Sequence, residues 1–165
     1  IYFTQRIFFF FNKQLIHNLY SAFLDKDYQT MQNSYAEEAT FSDPVFQHLS
    51  VQEVRAMWEM FCKRGKDMQL TFSIQHADDK YVHATWIPNY TFSATGRPVT
   101  NYITSKFTIV DKKIVSHVDH FNFYKWSSQA LGLSGTLLGW TPMVKNKVRK
   151  TAMKNLHTFM QKSAS

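Results

Sequence analysis

Two short segments hold residues whose types and spacing suit proton transfer. In "YAEEATFSDPVF", Asp43 stands directly before Pro44 and after an apolar-polar alternation. An Asp-Pro pair can end a strand as a turn, or the carboxylate can face a pocket and move a proton. In "SHVDHF", His117 and Asp119 are two residues apart, so in a strand they share a face with Phe121 and Phe123. Val118, His120, Asn122 and Tyr124 take the opposite face, and both faces are mixed in polarity, so alternation alone does not choose between them. A carboxylate among aromatic rings is desolvated, which raises its pKa toward the range where it abstracts protons near neutrality. A histidine beside it could share the proton and widen that range. Two carboxylates in one apolar pocket would fit an enolisation, in which a proton leaves one carbon and returns elsewhere. The plain alternative is that His117 and Asp119 are a buried hydrogen-bonded pair that holds a hairpin.

Other chemistry is poorly represented. "HVDH" offers three metal-ligand types, but His120 points away from His117 and Asp119 in a strand, and His76 and His83 near a turn have no visible partner, so no metal is expected. The single cysteine, Cys62, lies in "MWEMFCKRG" and reads as helix packing rather than as a nucleophile. The net charge of +7 is unevenly placed, because no Asp or Glu follows Asp119 while Lys125, Lys145, Lys147, Arg149, Lys150, Lys154 and Lys162 do. That asymmetry suits either a solvated basic face, the reading preferred here, or an anionic partner. A basic amphipathic helix on an anionic membrane surface ranks below the solvated face, and nucleic acid, lacking interleaved exposed aromatics, is not expected.

The elements that must position these residues follow from periodicity. Residues 1–11 read as a leader, a strand or arm, whose apolar run Ile7–Phe11 is far shorter than the roughly 20 residues of a membrane span. Nothing in it resembles a targeting signal, and the cytoplasm is the default location. Leu15, Ile16, Leu19, Tyr20, Phe23 and Leu24 are at helical spacing, with Asn12 as N-cap. A short helix through Met31 and a brief strand from Thr40 to Asp43 come next. Ser50 with Glu53 then makes a capping box for a helix that Gly65 ends. After Gly65 the period becomes two, giving strands over Met68–Ile74, Tyr81–Phe92, Val99–Val110 and Ile114–Tyr124 in an antiparallel meander. A glycine-containing connection and a basic amphipathic helix beginning at Pro142 close the chain. Helices before an antiparallel sheet predict an α+β fold with the sheet curling over the helices, and the space between is where a cavity forms.

The combination of "LDKDYQTMQNSYAEEATFSDP" and "DKKIVSHVDHFNFYKW" resembles the NTF2-like superfamily, the cone fold shared by ketosteroid isomerase and SnoaL-like polyketide cyclases. The resemblance spans about residues 12–131, leaving 132–165 as connection and basic helix. It implies N-terminal helices packed on a strongly curved antiparallel sheet that encloses a pocket. Asp43 falls where ketosteroid isomerase holds its proton-shuttling aspartate. The oxyanion-hole tyrosine of that enzyme is matched by Tyr20 only across a one-residue gap, and its protonated aspartate lands on Ser105 or Lys106. The triad of limonene-epoxide hydrolase fits less well, because Trp86 and Pro88 stand where Arg and Asp should. The pocket Asp of SnoaL-type cyclases is matched by Asp119, with His117 beside it.

The resemblance also chooses the inward face. It directs Trp86, Pro88, Tyr90 and Phe92, then Asn101, Ile103, Ser105 and Phe107, then His117, Asp119 and Phe121 toward the pocket, which Phe41 and Trp58 complete. It implies an aromatic-lined site for a hydrophobic small molecule, in which Asp119, His117, Asp43 and Tyr20 carry cofactor-independent isomerase, cyclase or dehydratase chemistry. The alternative it leaves open is a non-catalytic ligand-binding or dimerisation module. A homodimer through the open sheet face, with Val118, His120 and Tyr124 in the contact, is also implied.

Overall fold

A computed structural model describes the backbone of residues 2–163 and the side chains of 9–163. The first helix, α1, runs Tyr2–Leu24, so the segment expected as a leader is helical from residue 2 onward. Asn12 is not a cap. It is buried inside α1 and donates its Nδ2 to the Asp78 carbonyl at 2.8 Å, a bond that removes the cost of burying an amide. Helix α2 (Tyr28–Asn33) follows, with Asp27 accepting from the Thr30 amide at 3.1 Å. Strand β1 (Tyr35–Ser42) is longer than the Thr40–Asp43 expected. Helix α3 (Val51–Arg64) has the predicted capping box of Ser50 and Glu53, and Gly65 as its C-cap.

The sheet is built from β1 and five further strands: β2 (Gln69–Ala77), β3 (Tyr81–Phe92), β4 (Arg97–Thr100), β5 (Ile103–Val110) and β6 (Lys113–His120). Its order is β1-β6-β5-β3-β2, with β4 pairing the far end of β3, and the sheet is not closed. The meander expected from alternation is present, but β1 adds to its edge in parallel with β6, aligning Phe41 with His117. The expected strand Val99–Val110 breaks at Asn101 and Tyr102, where the Asn101 amide turns to the Pro88 carbonyl at 3.1 Å. The expected strand Ile114–Tyr124 stops at His120. Asn122 accepts from the Lys125 amide at 2.9 Å and starts helix α4 (Phe123–Leu131), which removes Phe123 from the strand face and Tyr124 from the open sheet face.

Where a plain connection was expected, α4 is followed by the short helix α5 (Leu133–Leu138) and then by α6 (Pro142–Ser163). A Cβ on Gly135 would lie 1.9 Å from the Ser127 carbonyl oxygen, so only glycine lets α5 lie this close to α4. Helix α6 packs across α3 through Leu156, which is fully buried, with Ala152, Met153 and Phe159 beside it. Burying a leucine is worth about 1.5–3 kcal/mol, enough to fix the helix against the body. The main core lies between α1, α3 and the concave face of the sheet, and includes Ile16, Tyr20, Phe23, Trp58, Trp86 and Phe107. Cys62 belongs to the same core beside Met31, and burial pushes its thiol up to about 11.

Candidate functional site

A continuous hydrogen-bonded chain crosses the deep end of this core. Trp58 Nε1 donates to the Tyr35 hydroxyl at 2.9 Å, and that hydroxyl meets His117 Nδ1 at 2.9 Å. On the other side His117 Nε2 meets Asp119 Oδ1 at 2.9 Å, and the same oxygen accepts from Ser105 Oγ. Tyr20 closes the chain through its hydroxyl, 2.9 Å from Ser105 Oγ. An indole N–H only donates, so Tyr35 accepts from Trp58 and has its own proton for His117 Nδ1. That assignment leaves the imidazole proton on Nε2, pointed at Asp119. Burial raises the hydroxyl pKa of both Tyr20 and Tyr35 well above the phenolic range, and the nearby Asp119 charge adds to it, so both phenols stay protonated as donors.

The register explains why these residues meet. Ser105 is paired with Asp119 and Phe107 with His117 across β5 and β6, while α1 brings Tyr20 over the sheet and α3 brings Trp58. Rings fill the space around the chain. The His117 ring lies 4.1 Å from that of Phe107 and 4.8 Å from that of Phe41, with Trp58 stacked at 6.2 Å. His117 and Phe107 are fully buried, and Tyr20 and Trp58 are 1% exposed. The deep end is thus tightly packed around this chain.

Asp43 lies apart from this chain, at the end of β1. Its Oδ1 accepts from the amides of Val45 and Phe46, both at 2.6 Å, and its own amide donates to the Phe46 carbonyl at 2.7 Å. The residue therefore does end the strand as a turn. The turn occupies only one carboxyl oxygen. Asp43 retains some solvent exposure, yet protein crowds its carboxyl, and burial pushes the pKa from 3.8 up to about 7. The Phe46 and Val45 amides oppose the rise, the Asp119 charge adds to it, and Arg149 opposes it. Arg149 comes from α6, whose side chain donates Nε to the Pro44 carbonyl at 3.0 Å. Asp43 in turn contributes, after burial, to the raised pKa of the half-buried Tyr90, whose hydroxyl accepts from Trp126 Nε1 at 2.9 Å.

The candidate residues fall into two groups. Tyr20, Phe41, Trp58, Ser105, Phe107, His117 and Asp119 meet in the packed deep end, with Trp86 against Tyr20, ring centroids 5.7 Å apart. Asn101 and Ile103 are buried at the β4–β5 break, whereas Tyr90 and Phe121 are half-buried toward the Asp43 side, in the smaller cluster around Trp126. Trp86 Nε1 is a buried donor without a partner, and no other fully buried side-chain nitrogen or oxygen among the described residues is so placed. Sequence reasoning missed Tyr35 and Arg149. Tyr35 falls outside the strand expected over Thr40–Asp43, whereas β1 starts at Tyr35 and carries it onto the face of His117. Arg149 had only its place among the tail cations as a signal. His76, expected without a partner, meets Asp78 at 3.3 Å and faces the His83 ring. Among the described residues no three His, Cys, Asp or Glu side chains gather as a metal site.

Helices set against a curled, open sheet, with an Asp-Pro turn at its edge and a His-x-Asp pair on its concave face, define an NTF2-like α+β protein. The sequence profile of the SnoaL-like domain matches residues 16–117, and the chain belongs to that family. The match includes Asp43 and His117 and stops short of Asp119. Among solved structures, a candidate polyketide cyclase from Xanthomonas campestris pv. campestris is 16% identical with a TM-score of 0.65, over 74% of this chain and 98% of that one. A candidate isomerase from Bacillus subtilis is 18% identical with a TM-score of 0.63, over 76% and 95%. An LEH-like epoxide hydrolase of M. tuberculosis is 14% identical with a TM-score of 0.59, over 78% and 96%. At these identities the likeness is one of fold. No curated protein matches the sequence.

Proposed function

We propose that this chain binds a small hydrophobic carbonyl compound beside Asp43 and moves a proton on it without a cofactor, as an isomerase, cyclase or dehydratase does. The observation that carries this reading is the Asp43 carboxyl, held at about 7 with one oxygen left over by the turn. A base with that pKa is divided between its two forms near neutrality, so it can take a proton from carbon and return it. Half-buried Tyr90 and Phe121 offer the apolar body of a ligand a place to lie. Asp119, His117 and Tyr20 take a supporting role: they are bonded to one another through Ser105, and the Asp119 charge acts on Asp43. Neighbours of similar fold described as a candidate cyclase and a candidate isomerase are compatible with this class of chemistry.

The test is exchange of α-protons for deuterium in an apolar ketone series, followed by proton NMR in D2O with the whole chain and with Asp43→Asn. Exchange above buffer that Asp43→Asn abolishes is the expected result. Exchange in none of the ketones, or exchange that persists in the variant, refutes the assignment. A second reading, a non-catalytic module, draws on the filled deep end around His117. Ketone binding with no exchange would favour it.

A further inference from the structure

The last quarter of the chain exposes large apolar side chains that the site does not use. Leu133 is 82% exposed, Leu137 68%, Trp140 73% and Met143 69%. Their exposure follows from how α5 is held. Gly135 and Gly139 press against Ser127 of α4, so the face of α5 with no side chains is turned inward and its leucines are turned out. Leu133 and Leu137 are one helical turn apart, and the Trp140 indole donates to the Leu137 carbonyl at 3.1 Å, which keeps the ring beside them.

Met143, in the first turn of α6, joins this cluster to a basic stripe. Positions 143, 147, 150 and 154 share one face of the helix, and Lys147, Lys150 and Lys154 are all exposed there. None of the three makes an ion pair among the described residues. The opposite face of α6 is occupied: Leu156 is buried and Arg149 is bonded to Pro44, while His157, beside the lysines, meets Glu53 at 2.9 Å. The outer face is thus a fixed surface on which exposed leucines and a tryptophan continue into unpaired lysines.

We propose that α5 and the outer face of α6 dock on an anionic lipid bilayer surface. A bilayer interface takes both halves of the patch at once, with Leu133, Leu137, Trp140 and Met143 at the acyl boundary and the lysines at the headgroups. A nucleic acid would take the lysines and leave the leucines in water. A second copy of the chain would take the leucines but bring like charges together, at a cost. The docking is peripheral, since among the described residues no helix is long and apolar enough to cross a membrane.

Vesicle co-sedimentation of the full chain tests this, with phosphatidylcholine alone against phosphatidylcholine containing about 30% phosphatidylserine, at about 0.1 M salt. Binding is expected to the anionic vesicles only, with a blue shift of tryptophan emission from the exposed Trp140. Leu137→Ser with Trp140→Ser should weaken it about tenfold or more. The triple change of Lys147, Lys150 and Lys154 to Gln should weaken it by about fivefold per lysine. All these positions are exposed, so unchanged thermal unfolding of the variants shows that the fold is intact. Three results overturn the proposal: no binding to either vesicle; equal binding to both; or a dimer that Leu137→Ser with Trp140→Ser dissociates while vesicles are ignored. Tight binding to a short DNA duplex that only the lysine changes abolish, without vesicle binding, does so as well.

Discussion

Replacing Asp43 with Asn separates its two roles, the turn and the proton. The amide keeps an oxygen for the Val45 and Phe46 N–H groups, so the turn survives, while the ionisable group is lost. The folded protein holds the Asp43 proton up to about pH 7, whereas the unfolded chain releases it near 3.8. Between those values the native state binds more protons than the unfolded one, so stability falls as pH rises. The contribution of the protonated carboxyl is fully present below 3.8 and is lost as pH climbs through about 7. At about 1.36 kcal/mol per pH unit, that interval sets a ceiling of roughly 4 kcal/mol for the cost of charging the group. Asp43 keeps some solvent contact, which screens the charge, so about 2 kcal/mol is the working figure.

Asp43→Asn should therefore match the wild type near pH 4 and exceed it above pH 7, by about 4–8 °C in Tm for a chain of this size. Differential scanning calorimetry across that range reads the effect directly. A Tm difference that does not change with pH would mean that the carboxyl titrates at its ordinary value and that burial does not act on it. A variant less stable at pH 8 than at pH 5, relative to wild type, would mean that the charged form is stabilised by Arg149 and the turn amides more than burial opposes it.

Two further outcomes probe the surroundings of the site. Tyr35→Phe leaves Trp58 Nε1 and His117 Nδ1 buried without the hydroxyl between them, and should cost about 2–4 kcal/mol in urea unfolding; a loss below about 0.5 kcal/mol would show that the chain through His117 is not closed as described. Arg149→Met removes the cation that holds the Asp43 pKa down, so the Asp43 carboxyl carbon should titrate higher still by NMR; an unchanged or lower midpoint would show that α6 does not reach the carboxyl.

Much of this architecture is legible because local signals coincide with the tertiary solution. The capping box at Ser50 and Glu53, the stop at Gly65 and the alternation through β2 and β3 all act over a few residues, and the fold keeps them. What the sequence hides is non-local or conflicting. The parallel pairing of β1 with β6 joins segments about 75 residues apart and leaves no periodic trace in either. Asn122 to Tyr124 continues the alternation of β6, yet Asn122 caps α4, and the cap prevails once the strand loses its pairing partner past His120. Asn12 has the residue type of an N-cap and lies inside a helix because a carbonyl from another turn reaches it. At the site, the pairing of His117 with Asp119 follows from strand geometry. The link onward through Ser105 to Tyr20 depends on cross-strand register, which the family resemblance supplies and composition does not.

The two carboxylates differ by environment more than by depth. Asp119 is the more buried, yet its Oδ1 is matched by His117 and Ser105, so its surroundings have already answered it with hydrogen bonds. Asp43 is the more exposed, the two donors on its Oδ1 are backbone amides of its own turn, and Arg149 is bonded to the Pro44 carbonyl beside it. A carboxylate at a half-exposed turn can change protonation without dismantling the buried side-chain network of the core. The α6 helix enters this balance through Arg149. If α6 also rests on a bilayer, the same helix that faces lipid on one side lowers the Asp43 proton affinity from the other.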